Sequence, residues 1–136
     1  MRWLRRAVPL ALIPIIGSLL TTSLSASTGR LPTKVGECRE TRISQITTRL
    51  MDGTTRRPIP DSGSAVSFSN GGYQVSYEEE EAISRSRVGD RVLMCLVTVP
   101  EDCPPGDNRG RRYTTTNLRN GGSWTLPDSP HSCGGA

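Results

Sequence analysis

The chain has little of what a large apolar interior needs. Of its 136 residues one is Phe, two are Trp and three are Tyr. A domain so poor in large side chains buries too little surface to rely on packing alone, and small domains of that kind depend on cross-links. Histidine is nearly missing too: His131 stands alone in the C-terminal tail. A Ser-His-Asp or Cys-His arrangement would therefore hang on one residue near the chain end, and the sequence predicts no enzyme. There is no phosphate loop, dinucleotide fingerprint or ligand-spaced metal motif, so neither a metal nor a cofactor is expected. Long apolar runs are absent as well. The longest, Ala7 to Leu20, is interrupted by Gly17, Ser18, Pro9 and Pro14 and falls short of the about 20 residues that a membrane-spanning helix requires.

That short run has the flanks of a secretory signal. Arg2, Arg5 and Arg6 precede it, and the small, polar stretch Thr21 to Ser27 follows. Residues 1–26 are expected to be a cleaved signal peptide, leaving no membrane span and placing the protein in the periplasm or outside the cell. Cleavage changes the charge argument. The whole chain is +4, with 17 basic and 13 acidic residues, but three of the basic ones lie in the signal. What remains is close to neutral, and no nucleic-acid partner is implied. Residues 27–36 read as a flexible lead-in and residues 37–136 as one domain.

All four cysteines, Cys38, Cys95, Cys103 and Cys133, lie in the exported part. An even count in a small secreted chain predicts two disulfides, and the wide gaps do not suit a zinc site. Cys95 sits inside the apolar run Val92 to Val97, where a bridge to nearby Cys103 would fold the strand back on itself. The preferred pairing is therefore Cys38–Cys95 between strands, with Cys103–Cys133 pinning the tail.

Five or six strands are expected, with little or no helix. In the first, Ile46, Thr48 and Leu50 share a face and Ile43 falls off it, which suggests a bulge. Asp52-Gly53 marks a turn, followed by a Pro-rich loop. Asn70-Gly71 predicts a two-residue type I′ hairpin that pairs Phe68 with Tyr73 and Val66 with Val75, all four on one apolar face. Glu78 to Arg87 suits a short helix with Glu81 and Arg85 at i, i+4, or an extended connection. Arg91 to Val99 reads as the central strand. A second hairpin turns at Asn120-Gly121-Gly122, pairing Leu118 with Trp124 and Thr116 with Leu126. The fold class is all-β or mainly β, a small antiparallel barrel or sandwich.

Recognition is most plausible at the loop from Cys103 to Tyr113. It displays Arg109, Arg111 and Arg112 beside Tyr113. Guanidinium forks grip carboxylates and phosphates bidentately, and an aromatic adds a stacking surface. Such a loop points to an anionic envelope component, or the acidic patch of another envelope protein.

From Val88 to the C-terminus, and above all in its CPPGD and SCGGA segments, the sequence resembles small exported alphaproteobacterial proteins of uncharacterised function. The resemblance implies an envelope location in a Gram-negative bacterium and transfers no activity. Ser62-Gly63-Ser64-Ala65 is similar to the Ser-Gly-rich loop with which periplasmic lysozyme inhibitors plug an enzyme cleft. The leading expectation is a non-catalytic periplasmic binding or interaction module. The alternatives are an inhibitor of an exogenous hydrolase such as lysozyme and a small envelope enzyme.

Overall fold

A computed structural model describes residues 29–135, so the expected signal peptide lies outside the described residues. The strands are β1 (Cys38–Thr48), β2 (Ser64–Phe68), β3 (Tyr73–Val75), β4 (Arg91–Thr98), β5 (Arg112–Asn117) and β6 (Ser123–Pro127). One turn of helix, α1 (Glu81–Ser84), lies between β3 and β4. The strands form one antiparallel sheet in the order β3-β2-β1-β4-β5-β6, curled into a half-barrel with its apolar face inward.

The long first strand makes the curl possible. Its first half pairs with β4 and its second half with β2. The register shifts between Ile43 and Gln45. In an unbroken strand residues three apart face opposite sides, so Ile43 and Ile46 would diverge. The extra residue at the bulge turns both toward the core, as the expected bulge requires.

The core consists of Ile43 and Val66, Phe68, Val92, Met94 and Leu96, with Tyr113, Trp124 and Leu126 opposite and Ile83 contributed by α1. Alternation in β4 sends Val92, Met94 and Leu96 inward, which accounts for its central position. Both expected disulfides are present. Cys38 and Cys95 are direct cross-strand partners in the β1–β4 ladder, with Cα atoms 4.0 Å apart. Cys103–Cys133 ties the loop after β4 to the C-terminal tail.

Both hairpins form, but in registers other than those expected. In β2–β3 the pairs are Ala65–Val75, Val66–Gln74 and Ser67–Tyr73, one residue away from the expected set. The loop holds three residues, Ser69 to Gly71: Phe68 N donates to Gly72 O, and only Gly71 takes a left-handed conformation, with φ 84°. A type I′ turn needs positive φ at both central residues, and Asn70 lacks it. The slip turns Gln74 inward and sends Tyr73 and Val75 to the other face. Gln74 compensates by filling all of its hydrogen-bonding capacity. Its Nε2 donates to Tyr113 O (2.7 Å) and Leu126 O (3.2 Å). Its Oε1 accepts from Thr115 Oγ1 (2.6 Å) and Trp124 Nε1 (2.9 Å).

In β5–β6 the loop spans Leu118 to Gly121, and Trp124 lies opposite Thr115 and Leu126 opposite Tyr113. Leu118, expected on the apolar face, is exposed, and buried Asn117 ends the inward row instead. Asn117 Nδ2 donates to Ser86 Oγ (2.9 Å) and Asp90 Oδ2 (2.8 Å). In each hairpin the inward row includes a polar side chain with partners distant in sequence, on β5 and β6 for Gln74 and in the α1–β4 connection for Asn117, which an apolar pattern does not convey.

The helical alternative holds for the acidic stretch over a single turn, with Glu81 and Arg85 ion-paired. The expected lead-in is held in place over residues 29–36: Pro32 is buried, Leu31 packs against the core, and Gly36 N donates to Leu96 O (2.8 Å). Glu37 caps this turn. Backbone N–H groups of Thr33 and Lys34 and the guanidinium of Arg39 converge on its carboxylate, Thr33 contributing most, and lower its pKa to about 2.

Candidate binding site at Arg111

The loop after β4 and the C-terminal tail form one unit. Cys133 N donates to Arg109 O (3.0 Å) and Asp128 N to Arg111 O (2.9 Å). Gly110 N donates to Asp128 Oδ1 (2.8 Å). Asp107 is the hub. Arg109 grips it with two bonds, Nε to Oδ1 at 2.9 Å and Nη2 to Oδ2 at 2.8 Å, and Gly134 N adds a third. The Arg109 fork, followed by the Gly134 amide, holds the Asp107 carboxyl well below the usual carboxylate range, and the same pairing pushes Arg109 up.

This geometry separates the four residues that the sequence groups. Arg109 is already satisfied by Asp107. Tyr113 is 2% exposed and belongs to the core, so its ring offers no open stacking face. Its phenol is shifted upward by burial, which outweighs the opposing charge of Arg111. Arg112 points away from the core, since alternation along β5 puts it opposite in sense to Tyr113, and its Nη2 donates to Thr125 O (3.2 Å) on the edge strand β6. The expected convergence is thus not formed.

Arg111 remains. It is half-buried and makes no ion pair among the described residues. With Asp128 it lines two adjoining depressions. One is bounded by Gly106 to Arg109. The other is bounded by Leu31, Gly71, Gly72, Tyr73 and Tyr113. The second depression sits where the β2–β3 turn meets the start of β5, and four segments distant in sequence build it. No sequence signal groups Leu31, Tyr73 and Asp128 with the loop arginines, because the contact exists only once the sheet has curled. A half-buried guanidinium that borders a depression can bind an anionic or hydrogen-bonding group with less desolvation than a bulk-exposed arginine would offer.

Other residues of functional interest lie elsewhere. His131 is exposed, and its backbone N–H donates to Ser129 Oγ (3.2 Å). Ser62, Gly63 and Ser64 are buried rather than protruding. A Cβ at Gly63 would come within 2.1 Å of Ser76 O, so glycine there serves close backbone packing. Asp90, whose carboxyl Arg119 (2.8 Å) holds well below the usual range, is bonded to Asn117 and Arg87 N and locks the β5–β6 turn. Among the described residues no group of three or more His, Cys, Asp or Glu is placed to hold a metal ion, and no helix is long and apolar enough to cross a membrane. No protein family, no curated protein and no solved structure matches this chain.

Proposed function

We propose that the chain is an exported, non-catalytic binding module of a Gram-negative envelope that recognises an anionic group at Arg111. One observation carries this reading: a half-buried arginine without an ion pair among the described residues lines a depression built from four parts of the chain. Leaving a guanidinium half-desolvated beside a cavity is unfavourable unless something offsets it, and a bound carboxylate or phosphate does so. The two disulfides suit an oxidising compartment.

An array of acidic glycans and lipid headgroups, probed with the oxidised protein, tests the proposal. Binding is expected to be lost in Arg111→Ala and kept in Arg109→Ala, whose side chain is committed to Asp107. Equal binding by wild type and Arg111→Ala, or no binding to any anionic probe, would overturn it.

A further inference from the structure

Between β1 and β2 the chain leaves the half-barrel as a narrow ribbon. Met51 and Pro58 form an isolated antiparallel bridge. Ile59 N donates to Leu50 O (3.0 Å), and Asp52 N to Arg57 O (2.8 Å). Neighbouring residues on such a ribbon face opposite sides. Leu50 and Met51 therefore point to different faces, yet they are 41% and 39% exposed, and Ile59 is 40% exposed. Pro58 and Pro60 are exposed as well. Apolar surface on both faces of a thin ribbon is unusual, because a ribbon resting on its own domain hides one face.

The tip is cationic. Arg56 and Arg57 are exposed there, and Arg56 holds a left-handed conformation, φ 60°, that non-glycine residues rarely adopt. The acid nearest the tip, Asp52, is turned back into the turn, where its Oδ1 accepts from Thr54 N, Thr55 N and Thr55 Oγ1. The remaining acid, Asp61, stands at the base. The base is also braced: Arg49 Nε donates to Ser62 O (2.7 Å), and its guanidinium lies 4.2 Å from the centre of the Tyr77 ring. Glu78 and Glu79 follow Tyr77, so the negative charge near this ribbon is gathered at its root.

We infer that residues 49–61 are a docking arm that enters an anionic lipid surface tip-first. A protein partner with a flat surface would cover one face of the ribbon and leave the other in water, whereas a fluid headgroup layer covers both. The charge distribution orients the approach, since the arginine tip is attracted to acidic headgroups and the glutamates at the root are repelled. This site is separate from Arg111.

The test is co-sedimentation of the oxidised protein with vesicles of phosphatidylglycerol mixed with phosphatidylcholine, and with vesicles of phosphatidylcholine alone. Partition onto the anionic vesicles alone is expected, weakening as salt is raised. The double variant Arg56→Glu/Arg57→Glu should lower it at least about tenfold, from roughly one kcal/mol lost per arginine near the surface. Leu50→Ser/Ile59→Ser should lower it as well. Circular dichroism and intact disulfides establish that each variant is folded. Equal partition onto neutral vesicles, no partition onto either kind, or variants that bind like the wild type would overturn the inference. So would self-association in sedimentation velocity that the Leu50/Ile59 variant abolishes, since the occupant would then be a second copy.

Discussion

The half-barrel has two sides that are held by different physics. From β2 through β1, β4 and β5 to β6, neighbouring strands are joined by backbone ladders. At the opening, β3 and β6 approach each other without a ladder, and Gln74 spans the gap from β3 to carbonyls of β5 and β6. Ladder bonds use groups that every non-proline residue carries, so they tolerate many side chains. The open side depends on one amide whose four bonds are specific to its length and position. The ladder side is robust to substitution, and the open side is not. The disulfides follow the same division, Cys38–Cys95 inside a ladder and Cys103–Cys133 outside the sheet, on the loop and tail.

The largest effect is expected on the ladder side, from its covalent link. Cys38→Ser/Cys95→Ser removes a bridge between residues 57 apart. Chain-entropy reasoning assigns it about 4 kcal/mol, readable as a lower urea midpoint in Trp124 fluorescence. Gln74→Met comes next. It keeps the volume but leaves the Trp124 and Thr115 donors without an acceptor in the interior, at a cost of about 3 kcal/mol. A loss below about 0.5 kcal/mol would show that the opening needs no polar closure.

Cys103→Ser/Cys133→Ser should cost about 2 kcal/mol or less, because the tail can detach while the sheet stays folded. Proteolysis should then remove the tail before the strands. A midpoint falling as far as for the other pair would erase the distinction between the two regions.

Acid sharpens the same contrast at the β5–β6 turn. The folded pKa of Asp90 is lowered, first of all by Arg119, so its contribution is complete above the unfolded value, about 3.9, and is lost as pH falls through the folded value. Stability should therefore decline below about pH 4, and Asp90→Asn should flatten that decline while lowering stability at neutral pH. The smallest effect belongs to the exposed Glu81–Arg85 pair, where Arg85→Ala should change stability by less than about 0.5 kcal/mol.

Much of the fold was legible beforehand. The apolar run within Arg91 to Val99 marked the central strand, the misfit of Ile43 with Ile46 marked the bulge, and cysteine position within the strands marked the pairing. The hairpin registers were not legible, because reading them meant placing every apolar residue inward. Gln74 and Asn117 take inward positions, and nothing local distinguishes a buried amide with distant partners from a surface one. The candidate site suffered in a similar way. Arg109, Arg111 and Arg112 look equivalent in sequence, yet one is neutralised by Asp107, one is directed to an edge carbonyl and one lines a depression. That sorting depends on alternation along β5 and on the path of the tail.

The amino-acid sequence by itself determined the class of this protein: a β domain with a small apolar interior, cross-linked in two places. Those properties follow from composition, period-2 patterning and cysteine placement, all of them local or countable. Tertiary structure alone decided which polar side chains are interior, which arginine borders a cavity, and that an apolar ribbon with a cationic tip stands clear of the sheet. Each of these depends on contacts between residues tens of positions apart, whose energies exist only after the sheet has curled and brought them together.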